Sequence, residues 1–179
     1  MSNPLPTIVV DNFFNDVDKI IKLSKKYKYH PPTKEDYWAG KRSECLHIKN
    51  YDLFVEIILK ILSYFYPNKK LRFSKSAIYF HKIRPKDKGK SQFHIDGYCN
   101  IPDRHLVLAA VIYLSKGSIK TGTTIFNKDN KKQILVSNDF NTMVGYDTVK
   151  KHGPTTLNIK EERLTLNVFI SNVEFRMAI

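Results

Sequence analysis

HLVLAAVIYL, residues 105–114, has no polar side chain between its histidine and its tyrosine, and three of its residues are β-branched. A strand with one wet face alternates polar and apolar residues. An unbroken apolar run of this length fits a strand buried on both faces. TIF (124–126) reads the same way. RLTLNVFI (163–170) alternates instead: Arg163, Thr165, Asn167 and Phe169 fall on one face, and Leu164, Leu166, Val168 and Ile170 on the other. Around these lie short β-branched and aromatic segments punctuated by turn residues. The expected strands are 76–83, 91–96, 106–114, 122–126, 133–136, 141–146 and 163–171. Seven or eight strands with interiors of this kind predict a jelly roll.

The N-terminal part reads differently. TIVV (7–10) predicts a short strand. Asn15 is placed to cap a helix over about 16–27, with Val17, Ile20, Ile21 and Leu23 on its apolar side. Residues 28–50 contain Pro31, Pro32 and Gly40 and read mostly as loop. DLFVEIILKILSYFY (52–66) predicts a second helix, with Leu53, Ile57, Ile61 and Phe65 at helical spacing and Pro67 as a stop. Its broad apolar side calls for packing across a sheet. The expectation is a mostly β chain with flanking helices (α+β), organised as one domain over 1–179. Residues 1–72 would form a helical support and 73–179 a jelly-roll core, with the helices on one sheet.

Thirty Lys and Arg against 17 Asp and Glu give the 179 residues a net charge of +13. Such a balance suits nucleic acid, a small anionic ligand, or solubility alone. The lysines are scattered through loops (Lys69, Lys70, Lys86, Lys116, Lys131, Lys151) with few aromatics between them to stack on bases, which favours the latter two. No apolar stretch is long enough to cross a membrane. The N-terminus does not read as a signal peptide. Cys45 and Cys99 make no disulfide framework, and a reducing cytoplasm is the expected compartment.

Three residues carry ligand chemistry at suggestive spacing. In FHID, His94 and Asp96 are two apart, so on a strand both point to one face. His152 follows 56 residues later, at the end of a strand-like segment and before Gly153-Pro154. Two imidazoles and a carboxylate form the facial triad of non-haem Fe(II) sites, which leaves metal positions open. HxD alone is a weak pattern, and His105 offers itself as a rival third ligand. It opens a buried strand and is read here as structural. Arg163 adds weight: a cationic face on a strand in an apolar core calls for an anion, and a guanidinium matches a carboxylate bidentately. The plainer alternative is an edge strand with its polar face in water.

In this order, SQFHIDGY, LAAVIYLS, GTTIF, NTMVGYDTVKKHGP and RLTLNVFI resemble the double-stranded β-helix core of 2-oxoglutarate/Fe(II)-dependent dioxygenases, closest to the prolyl 4-hydroxylase-like group. The resemblance spans about residues 76–171. It implies that His94, Asp96 and His152 hold Fe(II), and that Arg163 binds the distal carboxylate of 2-oxoglutarate. Tyr113 would donate its hydroxyl to the same carboxylate, although it equally suits filling the barrel; by the strand's own alternation Thr165, on the face of Arg163, can add another hydroxyl. Ascorbate is implied as a candidate reductant for oxidised iron. The implied activity is hydroxylation of a peptidyl proline or another amino-acid side chain, with 2-oxoglutarate converted to succinate. The expected partner is a peptide, protein or amino acid, with nucleic acid less favoured and no membrane.

Two departures stand out. Collagen-type enzymes of the group carry Lys where this chain has Arg163, and the tract KIRPKDKGKSQ before His94 is longer and more basic than usual. Related nucleic-acid demethylases have a second Arg where this chain has Phe169. A non-catalytic cupin-like metal-binding protein is the remaining alternative. Val111, Ile125, Met143 and Val144 are expected to line the site. The loop 97–105 and the patch DYWAGKRS (36–43), with the only tryptophan, are candidate substrate contacts, although Trp38 also suits a core.

Overall fold

Both helices form where apolar residues recur at helical spacing, and the first also has a side-chain cap. In the computed structural model, which describes residues 5–36, 38–69, 71–87, 93–96, 106–127 and 133–175, α1 spans Val17–Ser24. Its N-cap is Asp16, one residue beyond the expected Asn15; the Asp16 carboxylate accepts the Lys19 amide at 3.0 Å. Helix α2 spans Tyr51–Phe65 and buries Phe54, Ile57, Ile58, Ile61 and Leu62. Its buried stripe thus runs through 54, 58 and 62 as well as 57 and 61, while Leu53 and Phe65 sit at its margins. Cys99, His105, Lys70, Lys131 and the loop 97–105 lie outside the described residues.

Among the described residues, ten strands follow in chain order: β1 Ile8–Val10, β2 Tyr29–His30, β3 Lys41–Ser43, β4 Leu71–Ile83, β5 Leu106–Tyr113, β6 Thr123–Phe126, β7 Gln133–Val136, β8 Met143–Asp147, β9 His152–Pro154 and β10 Arg163–Phe175. They form two antiparallel sheets. The larger has the order β1-β8-β5-β10-β4-β3-β2, and the smaller the order β7-β6-β9. The first 72 residues are therefore not a purely helical support: β1 to β3 extend both edges of the larger sheet. The stretch expected to be mostly loop supplies β2, β3 and a short 3₁₀ turn at Leu46–Ile48. Pairing of β3 with β4, and of β2 with β3, makes strands of three and two residues that no local pattern announces.

Strand alternation sorts the larger sheet into two faces. Its outer face, with Ile78, Phe80, Leu108, Ile112, Leu166, Val168 and Ile170, shares one core with α2. Gly145 marks the close approach: a Cβ there would lie 2.8 Å from the Phe65 ring. Its inner face carries Ala109, Val111, Tyr113, Val144 and Tyr146, which pack with Ile125 and Val136 of the smaller sheet. β5 is buried on both sides for this reason. Met143 belongs to the helix-side core and not to the inner lining, because it alternates with Val144. Phe80 is 1% exposed in the helix-side core. Phe80→Ala is expected to destabilise the protein by about 3–5 kcal/mol, read from urea denaturation.

Candidate metal centre

Between the sheets lies a cleft whose walls come from both. β9 begins at His152 and belongs to the smaller sheet, so this histidine opens its own strand and does not close the one before it. His94 is tied to the same place by a two-way backbone bridge: its amide donates to the His152 carbonyl at 2.8 Å, and the His152 amide donates back at 2.8 Å. That bridge sets the two imidazoles 4.6 Å apart between ring centroids. Asp96 follows two residues later. Its Oδ1 lies 3.3 Å from His94 Nε2 and its Oδ2 lies 3.2 Å from His152 Nε2. One donor atom from each of the three residues falls within 4.8 Å of the others.

The protonation pattern fits a cation. His152 Nδ1 lies 2.8 Å from the Lys150 carbonyl, which can only accept, so the ring proton sits on Nδ1. In the neutral ring, Nε2 then presents a lone pair toward Asp96. Asp96 Oδ2 is buried and makes no hydrogen bond of good geometry, its 3.2 Å contact with His152 notwithstanding. A carboxylate oxygen and an imidazole lone pair facing each other in a buried site are mutually repulsive unless a proton or metal ion lies between them. Burial pushes the Asp96 carboxyl up; when the imidazoles are instead protonated, hydrogen bonding and charge from His152 and His94 outweigh burial and hold the group well below the usual carboxylate range, so either a proton or a cation settles the carboxylate here. The donor set suits Fe(II) and related divalent ions, and His94, half exposed, faces the open side.

Arg163 reaches the same cleft from β10 on the facing sheet, and it is 6% exposed. Its Nε donates to the Thr121 carbonyl at 3.0 Å, and the guanidinium sits 5.4 Å from the centre of the Tyr113 ring. Burial draws its pKa down, while hydrogen bonding and charge from Tyr113 draw it up. Tyr113 and Thr165 lie behind the cleft wall, both fully buried. The Tyr113 hydroxyl donates to Thr123 Oγ1 at 2.6 Å, and the Thr165 hydroxyl donates to Asn167 Oδ1 at 2.8 Å. Tyr146 and Thr123 are hydroxyl-bearing residues on the wall itself, and the sequence reading did not single out Thr123. Its signal was available in GTTIF, a strand with a threonine at each end of its first pair.

The reading also missed His81, Asn167 and Tyr146, all of which line the cleft. His81 Nε2 meets the Ala39 carbonyl at 2.5 Å, and its Nδ1 accepts from Asn167 Nδ2 at 3.2 Å. Burial first, then the charge of Arg42, lowers its pKa from 6.5 to about 3; Arg163 adds to this, and Ala39 and Asp87 oppose it. This imidazole is therefore neutral when folded. The unfolded chain binds a proton that the folded chain refuses, so stability is full above about pH 6.5 and is lost as pH falls toward about 3. The limit is roughly 1.4 kcal/mol per pH unit across that window. His81→Gln should flatten the decline in melting temperature between pH 6.5 and 4. An unaltered slope would remove His81 from the acid response.

No protein-family model matches the sequence, and no curated protein matches it. Solved structures do. A prolyl-4-hydroxylase from Pseudomonas putida superposes with TM-score 0.66 at 16% identity, over 94% of this chain and 93% of that one. A 2OG-Fe(II) oxygenase family oxidoreductase from Burkholderia pseudomallei gives 0.60 at 14% identity, over 92% and 84%. HygX from Streptomyces hygroscopicus, solved with nickel and 2-oxoglutarate bound, gives 0.62 at 12% identity, over 93% and 83%. The chain shares its fold with these oxygenases. Among the described residues no helix is long and apolar enough to cross a membrane.

Proposed function

We propose that this protein is an Fe(II)- and 2-oxoglutarate-dependent dioxygenase that hydroxylates a peptidyl proline or another amino-acid side chain. The observation that carries the reading is the convergence of His94, Asp96 and His152 on one point within 4.8 Å, in a cleft whose facing sheet presents a buried arginine. The strand order supports a jelly-roll core: β4, β10, β5 and β8 stand side by side in one sheet, and His94, β9, β6 and β7 in the other.

When bound, Fe(II) supplies O₂ activation coupled to oxidation of 2-oxoglutarate to succinate and CO₂, with hydroxylation of the substrate. His94, Asp96 and His152 would hold the metal on one side and leave the remaining positions to ligands. Lys150 fixes the His152 tautomer through its carbonyl. Arg163, anchored by Thr121, would pair with the distal carboxylate of 2-oxoglutarate, with Tyr113 and Thr123 setting the local hydrogen bonding. Val111 and Tyr146 keep the inner wall apolar, which protects reactive chemistry from water.

The deciding assay measures succinate formed from 2-oxoglutarate with Fe(II), ascorbate and a proline-rich peptide, beside methylated single-stranded DNA, at about 150 mM salt, where phosphate binding is weakened. Stimulation by the peptide is expected. Stimulation by DNA alone would reverse the choice of substrate class, and absence of any 2-oxoglutarate turnover or metal binding would sink the enzyme reading.

A further inference from the structure

Tyr146 brings a buried hydroxyl to the cleft wall. It stands on the inner face of β8, is 3% exposed, and lines the cavity that holds His94, Asp96, His152 and Arg163. Its ring continues the apolar wall and packs against the His152 ring, with 4.5 Å between centroids and a tilt of 48°. Register sets it at the His152 end of the cleft. Tyr146 pairs with Ala109 of β5, whereas the Tyr113 amide donates to the Thr142 carbonyl, four residues earlier in β8's chain. The two tyrosines therefore start roughly 13 Å apart along the strand direction. Asp96 and Arg163 both act on the Tyr146 phenol through their charge, so it stands within reach of the proposed metal ligands and of the arginine.

Donors around it are already committed. Trp38 hydrogen-bonds the Asp36 carboxylate, and Arg42 stacks on Trp38 at 4.5 Å with its charge acting on that same carboxylate. Asn167 donates to His81, His152 Nδ1 to the Lys150 carbonyl, and the Tyr113 hydroxyl to Thr123. Among the described residues the Tyr146 hydroxyl has no hydrogen-bond partner. Burial first, then the Asp96 carboxylate, pushes its pKa well above the ordinary phenol range, with Arg163 opposing, so the group keeps its proton and acts as a donor. A buried phenol that gives its proton to no protein atom is costly until a ligand accepts it.

A dianion in this cleft needs donors at both ends, and here the inference rests on the dioxygenase reading. The distal carboxylate of 2-oxoglutarate has Arg163. A 2-oxo acid chelates a metal ion through its keto oxygen and one carboxylate oxygen. The other oxygen of that carboxylate is then left beside a wall that includes Ala109 and Val111, where an unpaired charged oxygen is costly. Tyr146 is the residue on the His152 side with a proton to give. We infer that the Tyr146 hydroxyl donates a hydrogen bond to this second carboxylate oxygen, so that it holds the metal-binding end of 2-oxoglutarate while Arg163 holds the far end.

Pyruvate separates the two ends, because it keeps the 2-oxo acid and lacks the distal carboxylate. The 179-residue protein, loaded with Mn(II) in the absence of O₂, would be titrated calorimetrically with 2-oxoglutarate and with pyruvate. Tyr146→Phe keeps the ring and removes the hydroxyl alone. It should weaken both ligands by a similar factor, roughly ten- to hundredfold, as for one hydrogen bond to a charged acceptor, with Mn(II) affinity unchanged. Arg163→Ala should weaken 2-oxoglutarate and spare pyruvate. With Fe(II) in place of Mn(II) and saturating 2-oxoglutarate, the visible charge-transfer band of the chelate should move to shorter wavelength in Tyr146→Phe, because the lost hydrogen bond no longer lowers the acceptor orbital of the 2-oxo acid. A loss confined to 2-oxoglutarate would assign the hydroxyl to the distal end and overturn the inference. Unchanged affinities with an unmoved band would overturn it as well. Tyr146→Leu repeats the comparison should the first variant not fold. If the wild type binds neither metal nor 2-oxoglutarate, the proposed function falls and takes this inference with it; if the wild type binds both and Tyr146→Phe matches it, the inference alone falls.

Discussion

Replacing His152 with alanine is expected to abolish Fe(II) binding and leave the fold in place. The side chain is almost wholly enclosed, yet its Nε2 makes one close polar contact, the 3.2 Å approach to Asp96. Removing the imidazole takes away one of the three proposed ligands and leaves the Asp96 carboxylate buried beside a gap. Loss of an outer partner of a metal ligand already weakens a metal site by about 10- to 100-fold, so loss of the ligand itself should exceed roughly 100-fold. Asp96→Ala should behave alike. Calorimetric titration with Fe(II) under anaerobic conditions, with far-ultraviolet circular dichroism as the control for folding, gives the answer. His105→Ala is the informative companion. If it eliminates metal binding while His152→Ala does not, the triad is wrong.

The second large effect belongs to Arg163. In Arg163→Ala, 2-oxoglutarate would enter a dry cleft without its bidentate partner. Losing a buried charged partner costs about 2–5 kcal/mol, hence roughly 30- to 4000-fold in affinity. Michaelis constants for 2-oxoglutarate should rise by that factor with iron binding intact. Because Arg163 also anchors the Thr121 carbonyl, Arg163→Lys serves as a control that keeps the charge and loses the fork. Tyr113→Phe should cost less, on the order of 1 kcal/mol, since it removes one hydroxyl whose proton already goes to Thr123. Unchanged 2-oxoglutarate affinity in Arg163→Ala would place the cosubstrate elsewhere.

Much of the sheet was legible because burial leaves a local trace. The unbroken apolar run of β5 marks a strand packed on both faces, and the alternation of β10 separates the residues that meet the helices from those that face between the sheets. The Gln133–Val136 strand matches its expected bounds, and α2 is displaced from them by one residue. What stayed hidden had no local trace. β3 exists because β4 offers an edge to pair with, and β2 because β3 then offers the next. Met143 and Val144 are equally apolar neighbours, and only the sheet's two packed faces decide that one meets the helices and the other the core between the sheets. His81 looked like any histidine on a strand until Arg42, Ala39 and Asn167 closed around it.

The same division holds for the candidate site. Sequence alone determined the residue types and their order: an HxD pair, a distant histidine, and an arginine heading an alternating strand. Side-chain chemistry and the two-residue repeat of a strand are local properties, so they can be read from a string of letters. Tertiary structure decided convergence and occupation. The bridge between His94 and His152 draws together residues 58 positions apart. The contact between two sheets puts Arg163 opposite them and Thr123 on the wall where Tyr113 was expected. Which hydroxyl faces the cleft, and which arginine stacks on Trp38, depend on long-range pairing registers, and those are fixed by the packing of the whole sandwich.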